Sequence, residues 1–231
     1  MKKSTRALCF SLFALSSSAF AHHGHFYTAA DVGIFTADFD NAYIQQPFTG
    51  ISVFQNFQDV ALQNGYTGGL ELGYSRRFHH RYFWGAEVSG NINSRAAVYQ
   101  AGVQSSSFYD KTRINGNMDF DFVPGIKLTR TISAFMKLGV SIAWIKDNLT
   151  SPVGYFATMT NYSNANTAVG FAAGLGVSKL ISKHWSLFSE ADYHDYGTIN
   201  FVSFQNYSYS YAHSTRAYSY DVVAGAAYKF A

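Results

Sequence analysis

The run "TAVGFAAGLGVSKL" at residues 167–180 puts Val169, Phe171, Ala173, Leu175 and Val177 on every second position, with Gly170, Ala172, Gly174, Gly176 and Ser178 between them. Side chains of an extended strand alternate between two faces, so a period of two makes one face bulky and apolar and the other nearly bare. The pattern recurs in eight segments, about 26–38, 65–78, 82–95, 111–128, 133–146, 167–180, 184–197 and 219–231. Leu70, Leu72 and Tyr74 oppose Gly69, Glu71 and Gly73. Met136, Leu138, Val140, Ile142 and Trp144 oppose Lys137, Gly139, Ser141 and Ala143. In segment 111–128, Ile114, Met118, Phe120, Phe122, Ile126 and Leu128 oppose Arg113, Asn115, Asn117, Asp119, Asp121 and Lys127.

A soluble sandwich or a lipocalin-like barrel buries its bulky row around a core or a ligand cavity. The Gly/Ala row of 167–180 suits neither. An eight-stranded barrel has room along its axis only for side chains, which suits small residues and a few paired charges. The bulky row then meets lipid, where a cation at mid-bilayer costs ~2–4 kcal/mol. The connections agree. Short links at 76–82, 129–133 and 181–185 alternate with long ones at about 39–64, 96–110, 147–166 and 198–213. Short turns on one side and long loops on the other are the pattern of an outer-membrane barrel. Trp84, Trp185, Tyr228 and Phe230 fall at the short-turn end, and Trp144 and Tyr193 at the other, as two aromatic belts. The predicted fold is all-β: an eight-stranded antiparallel transmembrane barrel with short periplasmic turns and four long extracellular loops.

The N-terminus supplies the export route. Lys2, Lys3 and Arg6 precede a short apolar run from Ala7 to Leu15 and an A-x-A site, Ala19-Phe20-Ala21. This is a secretory signal peptide, residues 1–21, with residues 22–231 as the barrel domain. The apolar run is too short to span about 30 Å of hydrocarbon. Cleavage removes Cys9, the only cysteine, and takes Lys+Arg from 17 to 14, equal to the 14 Asp+Glu. A neutral mature chain gives nucleic-acid binding no electrostatic support. Charged residues are 13% and aromatics 18% of the chain, against about 25% charged in an ordinary soluble domain.

The stretch "PGIKLTRTISAFMKLGVSIAW" (124–144) resembles the strand-turn-strand of small OmpA/OmpX/Opa-type outer-membrane β-barrels. The ending "SYDVVAGAAYKFA" resembles their C-terminal assembly signal, with Phe230, Tyr228, Ala226, Ala224 and Val222 at alternate positions. The resemblance implies that the barrel-assembly machinery recognises this last strand, by strand addition. That family usually ends on the aromatic itself, whereas Ala231 follows here.

Candidate sites are few. Inward charges Asp31, Glu71, Glu87, Asp119, Asp121, Glu190, Asp192 and Asp221 oppose Arg113, Lys127, Lys137 and Lys229; of these, Glu71, Glu87, Arg113, Lys137, Glu190 and Lys229 are the expected lumen charge network. "HHGH" at 22–25 opens the mature chain, and His22, His23 and His25 are metal-ligand types. The tight copper motif wants histidine third, where Gly24 stands, so no metal and no cofactor is expected. His184-Trp185-Ser186 with Glu190 resembles the His-x-Ser arrangement of lipid-A deacylase barrels. It sits at the short-turn end, away from the outer leaflet, so no catalytic site is expected. In the long links, Phe48, Phe54, Phe57, Tyr207, Tyr209 and Tyr211 stand among Ser, Asn and Gln, the composition of adaptable recognition surfaces. The expected function is an integral outer-membrane protein of a Gram-negative envelope with a structural role, not an enzyme. The alternative is a surface adhesin or host-interaction protein acting through 39–64 and 198–213, ahead of a small pore or a lipid-A-modifying enzyme. The expected partners are membrane lipid and lipopolysaccharide, the assembly machinery and a host surface ligand.

Overall fold

The computed structural model describes residues 24–47, 55–78, 80–94, 109–110, 112–150, 162–205 and 209–230. Residues 1–21, expected to be a signal peptide, and His22, His23, Phe48, Phe54, Tyr207 and Ala231 lie outside them. The strands are β1 (Gly24–Pro47), β2 (Gln55–Arg77), β3 (Tyr82–Asn93), β4 (Tyr109–Asp110), β5 (Arg113–Lys127), β6 (Ile132–Thr150), β7 (Tyr162–Leu180), β8 (Trp185–Gln205) and β9 (Tyr209–Lys229). The two-residue β4 lies against the far end of β6. The other eight pair antiparallel with their neighbours, and β1 pairs with β9 from Tyr27–Lys229 to Pro47–Tyr209, which closes the sheet. Closure leaves no strand edge within the spanning band, so the backbone satisfies itself in lipid.

No helix among the described residues is long and apolar enough to cross a membrane. The crossing is made by strands. Leu70 and Leu175 are 69% and 67% exposed, while Glu71 and Lys137 are 4% and 6% exposed. The bulky row faces outward and the small or charged row inward. Val32, Ile34, Leu72, Val88, Phe120, Val140, Val169 and Val222 complete an outward apolar band. At its periplasmic edge Tyr228 meets Trp185 and Phe230 at ring-centroid distances of 5.2 and 5.4 Å, and Trp84 meets Tyr74 at 6.2 Å. Tyr193 and Tyr220, 5.1 Å apart, and Trp144 mark the outer edge. The short turns are tied locally. The Thr129 hydroxyl accepts from the Thr131 and Ile132 N–H groups, and the Ser182 hydroxyl from that of Trp185.

Above the outer belt the rows exchange character. The inward row of β1 changes from Asp31 to Phe35, Ala37 and Phe39, all nearly inaccessible, and the outward row becomes Thr36, Asp38 and Asp40. Water replaces lipid there, so apolar side chains gain by turning to the axis. Two bulges near the belt reset the phase to match, with a further register shift in β8 between Phe201 and Phe204. One lies between Ile114 and Gly116 in β5, the other between Asp195 and Thr198 in β8. Gly197 takes φ +64°, the left-handed region that glycine enters at little cost. Its N–H and the Arg216 guanidinium, each 2.9 Å away, hold the Asp195 carboxyl below the usual range.

The first bulge corrects part of the sequence reading. Ile114, expected to face lipid, is fully buried in the lumen with Thr112. Arg113, expected in the lumen network, pairs across the ladder with Lys146 and shares its outward side. A strict period of two cannot anticipate the shift, because the extra residue is the one place where alternation fails. The strands are longer than their membrane-crossing parts. Much of the long links 39–64, 147–166 and 198–213 is strand, since β1, β2, β6, β7, β8 and β9 run on beyond the belt.

Arginine in place of Val140, which lies between Phe120 and Phe171 on the lipid face, is expected to cost about 2–4 kcal/mol. Urea titration of the folded barrel in vesicles measures the loss.

Candidate functional site in the barrel lumen

The lumen divides into three layers. The middle one is ionic. Lys137 of β6 projects inward because it alternates with Met136 and Leu138, and its ammonium meets three carboxylates: Glu87 at 2.7 Å, Glu190 at 2.7 Å and Glu71 at 3.4 Å. All four side chains are at most 7% exposed. The Tyr27 hydroxyl donates to Glu87 Oε2 at 2.5 Å. Glu190 Oε2 is buried with no hydrogen-bond partner in the protein. One step toward the outer face, His194 lies between Asp119 and Asp221, at 3.6 and 3.8 Å. Asn117 donates to both oxygens of Asp119, and Ser89 adds a third hydrogen bond. Asp31, Asp121 and Asp192 line the same narrow space.

Above this layer the lumen is filled. Phe35, Phe39, Ile114, Ile145, Tyr196 and Phe201 pack with Ala37, Ala143, Ala168, Ile199 and Ala217, none more than 8% exposed. The Tyr196 hydroxyl reaches back to Ser141 at 3.3 Å, which couples plug to ion layer.

Below the ion layer the lumen opens into a vestibule of about 780 Å³ at the end that carries the short turns and both strand termini. Four aromatic rings lie against its wall, each beside a glycine of the next strand: Tyr27 opposite Gly73, Phe83 opposite Gly125, Phe135 opposite Gly176 and Phe188 opposite Gly225. A Cβ on those glycines would stand 2.2, 2.2, 2.3 and 2.4 Å from the facing ring's Cζ. Only glycine lets the rings lie flat, and the flat rings leave the vestibule open.

The sequence candidates fall as follows. Lys137, Glu71, Glu87 and Glu190 come together in the ion layer. Lys229 lies apart from them, at the vestibule mouth with Lys127, Arg77 and His25. Arg113 is on the outer side. His25 therefore sits in the mouth, and among the described residues no group of three His, Cys, Asp or Glu could hold a metal ion. His184 Nδ1 lies 3.0 Å from the Lys229 carbonyl and its ring stacks on Tyr228 at 5.7 Å, while Glu190 is tied to Lys137. Val222, Tyr228 and Phe230 lie on the lipid face, and the Phe230 N–H donates to the Phe26 carbonyl at 2.9 Å. Phe57, Tyr209 and Tyr211 fall on the extended ends of β2 and β9, where only backbone is described. His194 and the four ring residues were not singled out by sequence. His194 alternates correctly with Glu190 and Asp192, a signal that was there. The rings required the register.

No protein-family profile matches the chain. An uncharacterised protein of Coxiella burnetii (strain RSA 493 / Nine Mile phase I) is 27% identical over 210 residues, covering 84% of this chain and 79% of that one. Among solved structures, the outer membrane protease OmpT from Escherichia coli superposes with a TM-score of 0.48 at 8% identity, over 89% of this chain and 97% of the other. The outer membrane protein OprG from Pseudomonas aeruginosa gives 0.47 at 13%, over 90% and 97%. Ail, the attachment invasion locus protein of Yersinia pestis, gives 0.39 at 11%, over 88% and 98%. The closed barrel with its outward apolar band and two aromatic belts is itself that of an integral outer-membrane protein.

Proposed function

We propose that the protein is a structural component of the outer membrane, contributing to envelope integrity without a catalytic step. The observation that carries this reading is the plug. Eleven side chains of no more than 8% exposure fill the lumen above the ion layer, which argues against a continuous water path. The outward cations Arg113 and Lys146, adjacent above the Trp144 belt, suit the phosphates of lipopolysaccharide. The lipid-facing row of Val222, Tyr228 and Phe230 suits capture of β9 by the barrel-assembly machinery. Purified protein in planar bilayers is expected to show no steady conductance, and a deletion strain to become more sensitive to bile salts and detergents. Regular single-channel openings from the unmodified protein would replace the structural reading with a pore.

A second reading has its own support. Pairing of β2 with β3 ends at Thr67–Asn93, whereas its pairing with β1 continues to Gln45–Gln55. Pairing of β8 with β7 ends at Phe171–Asp195, whereas its pairing with β9 continues to Gln205–Ser210. Strands β2, β1, β9 and β8 thus rise together as a four-stranded platform; among the described residues its β2 flank extends past β3, while its β8 flank is unladdered from β7, which itself continues to Tyr162. The β2 flank suits strand addition by an extracellular ligand, and the platform carries Phe57, Tyr209 and Tyr211. Shortening β1–β2 and β8–β9 to the belt, with folding checked by gel mobility before and after boiling, is expected to abolish host-cell binding if this is the role.

A further inference from the structure

The vestibule has features that a merely structural barrel does not require. Its volume is within the range of small-molecule pockets, about 300–1,000 Å³. Its wall carries an aromatic collar, the rings of Tyr27, Phe83, Phe135 and Phe188, set among Ser75, Ser133, Ser178 and Ser186 and kept clear of the axis by four paired glycines. Its rim carries Arg77, Lys127 and Lys229, and among the described residues no carboxylate forms an ion pair with any of the three. These cations come from β2, β5 and β9, so their convergence is made by the closed fold and not by one stretch of sequence. At the inner end Glu190 Oε2, on a side chain only 4% exposed, accepts from no protein group. Unpaired like charges repel, and a buried acceptor without a donor is costly. One kind of occupant answers all of these at once.

We propose that the vestibule is a binding site, open to the periplasm, for a small amphipathic anion: a molecule with a phosphate, sulfonate or carboxylate head, a flat apolar body and a hydrogen-bond donor at the far end. The head lies against Arg77, Lys127 and Lys229, where charge-assisted hydrogen bonds are strongest for planar or tetrahedral oxyanions. The body stacks within the collar. The donor meets Glu190 Oε2. The ion layer and plug close the inner end, so the site holds its ligand without passing it across the membrane.

The probe is 8-anilinonaphthalene-1-sulfonate, which has a sulfonate, a fused apolar ring and one N–H. It is titrated against the full mature barrel in nanodiscs, with empty nanodiscs subtracted. Saturable one-site fluorescence is expected. The triple variant Arg77→Gln, Lys127→Gln, Lys229→Gln is expected to bind about tenfold more weakly or worse, since it loses hydrogen bonds to a charged group. Ser178→Trp keeps the rim and fills the vestibule, and is expected to abolish the signal. Both variants are checked for folding by heat-shifted gel mobility. N-phenyl-1-naphthylamine, the same body without the sulfonate, is expected to bind at least tenfold more weakly. The proposal is overturned by absence of saturable binding, by equal affinity for the two dyes, or by unchanged affinity in either folded variant.

Discussion

Lys137→Met is expected to destabilise the barrel by about 3–5 kcal/mol, the cost of leaving a buried ion group unpaired. The arrangement makes the loss large. One ammonium at 2.7 Å from Glu87 and Glu190 and 3.4 Å from Glu71 is the only cation among the described residues that contacts all three carboxylates. Without it they crowd a narrow axis that solvent barely reaches. The measurement is urea-induced unfolding in vesicles, followed by tryptophan fluorescence, with gel mobility as a second readout. A companion variant separates pairing from packing. Lys137→Met combined with Glu71→Gln, Glu87→Gln and Glu190→Gln removes the whole ion set. It is expected to recover most of the lost stability, because replacing a buried ion pair entire is often near neutral. Equal destabilisation in the two variants would mean that Lys137 matters for its volume and not its charge.

The second large effect belongs to the plug. Phe39→Ala is expected to cost about 3–5 kcal/mol, the range for removing a buried phenyl ring. Phe39 is inaccessible and packs within the plug, where its ladder partner on β9 is Ala217, a side chain too small to refill the space. The double variant Phe35→Ala, Phe39→Ala is expected to admit water down to the ion layer, read as a raised open-channel current in planar bilayers. An unchanged unfolding midpoint for Phe39→Ala would show that the extracellular half contributes little to stability.

The barrel was legible in the sequence wherever lipid lies outside it. Leu70 against Glu71, or Leu175 against Gly174, states the face of a strand in two letters, because bilayer and lumen make opposite demands. Legibility ends where the solvent changes. Phe35 and Phe39 continue the inward row of Asp31, and alternation alone does not say whether such residues meet oil or their own kind. Ile114 and Arg113 were misplaced for a sharper reason, since a single bulge reverses every assignment beyond it. The candidate site divides in the same way. Glu71, Glu87, Lys137 and Glu190 each occupy an inward position, but their convergence on one ammonium depends on barrel register. Lys229 is inward too, yet it sits several residues nearer the mouth than Lys137 and so belongs to a different cluster. The four rings of the vestibule depend on register entirely. Each makes sense only beside a glycine 37 to 46 positions away in the chain, a pairing no local pattern announces.

The exchange of rows at Ile34 and Phe35 also fixes how deep the molecule floats. Sliding it outward by one rung would lift Ile34 and Tyr220 into water, and sliding it inward would draw Thr36, Asp38 and Arg216 into hydrocarbon. Both displacements are uphill, so the protein carries a waterline written around its circumference, and a thinner or thicker bilayer must deform to meet it.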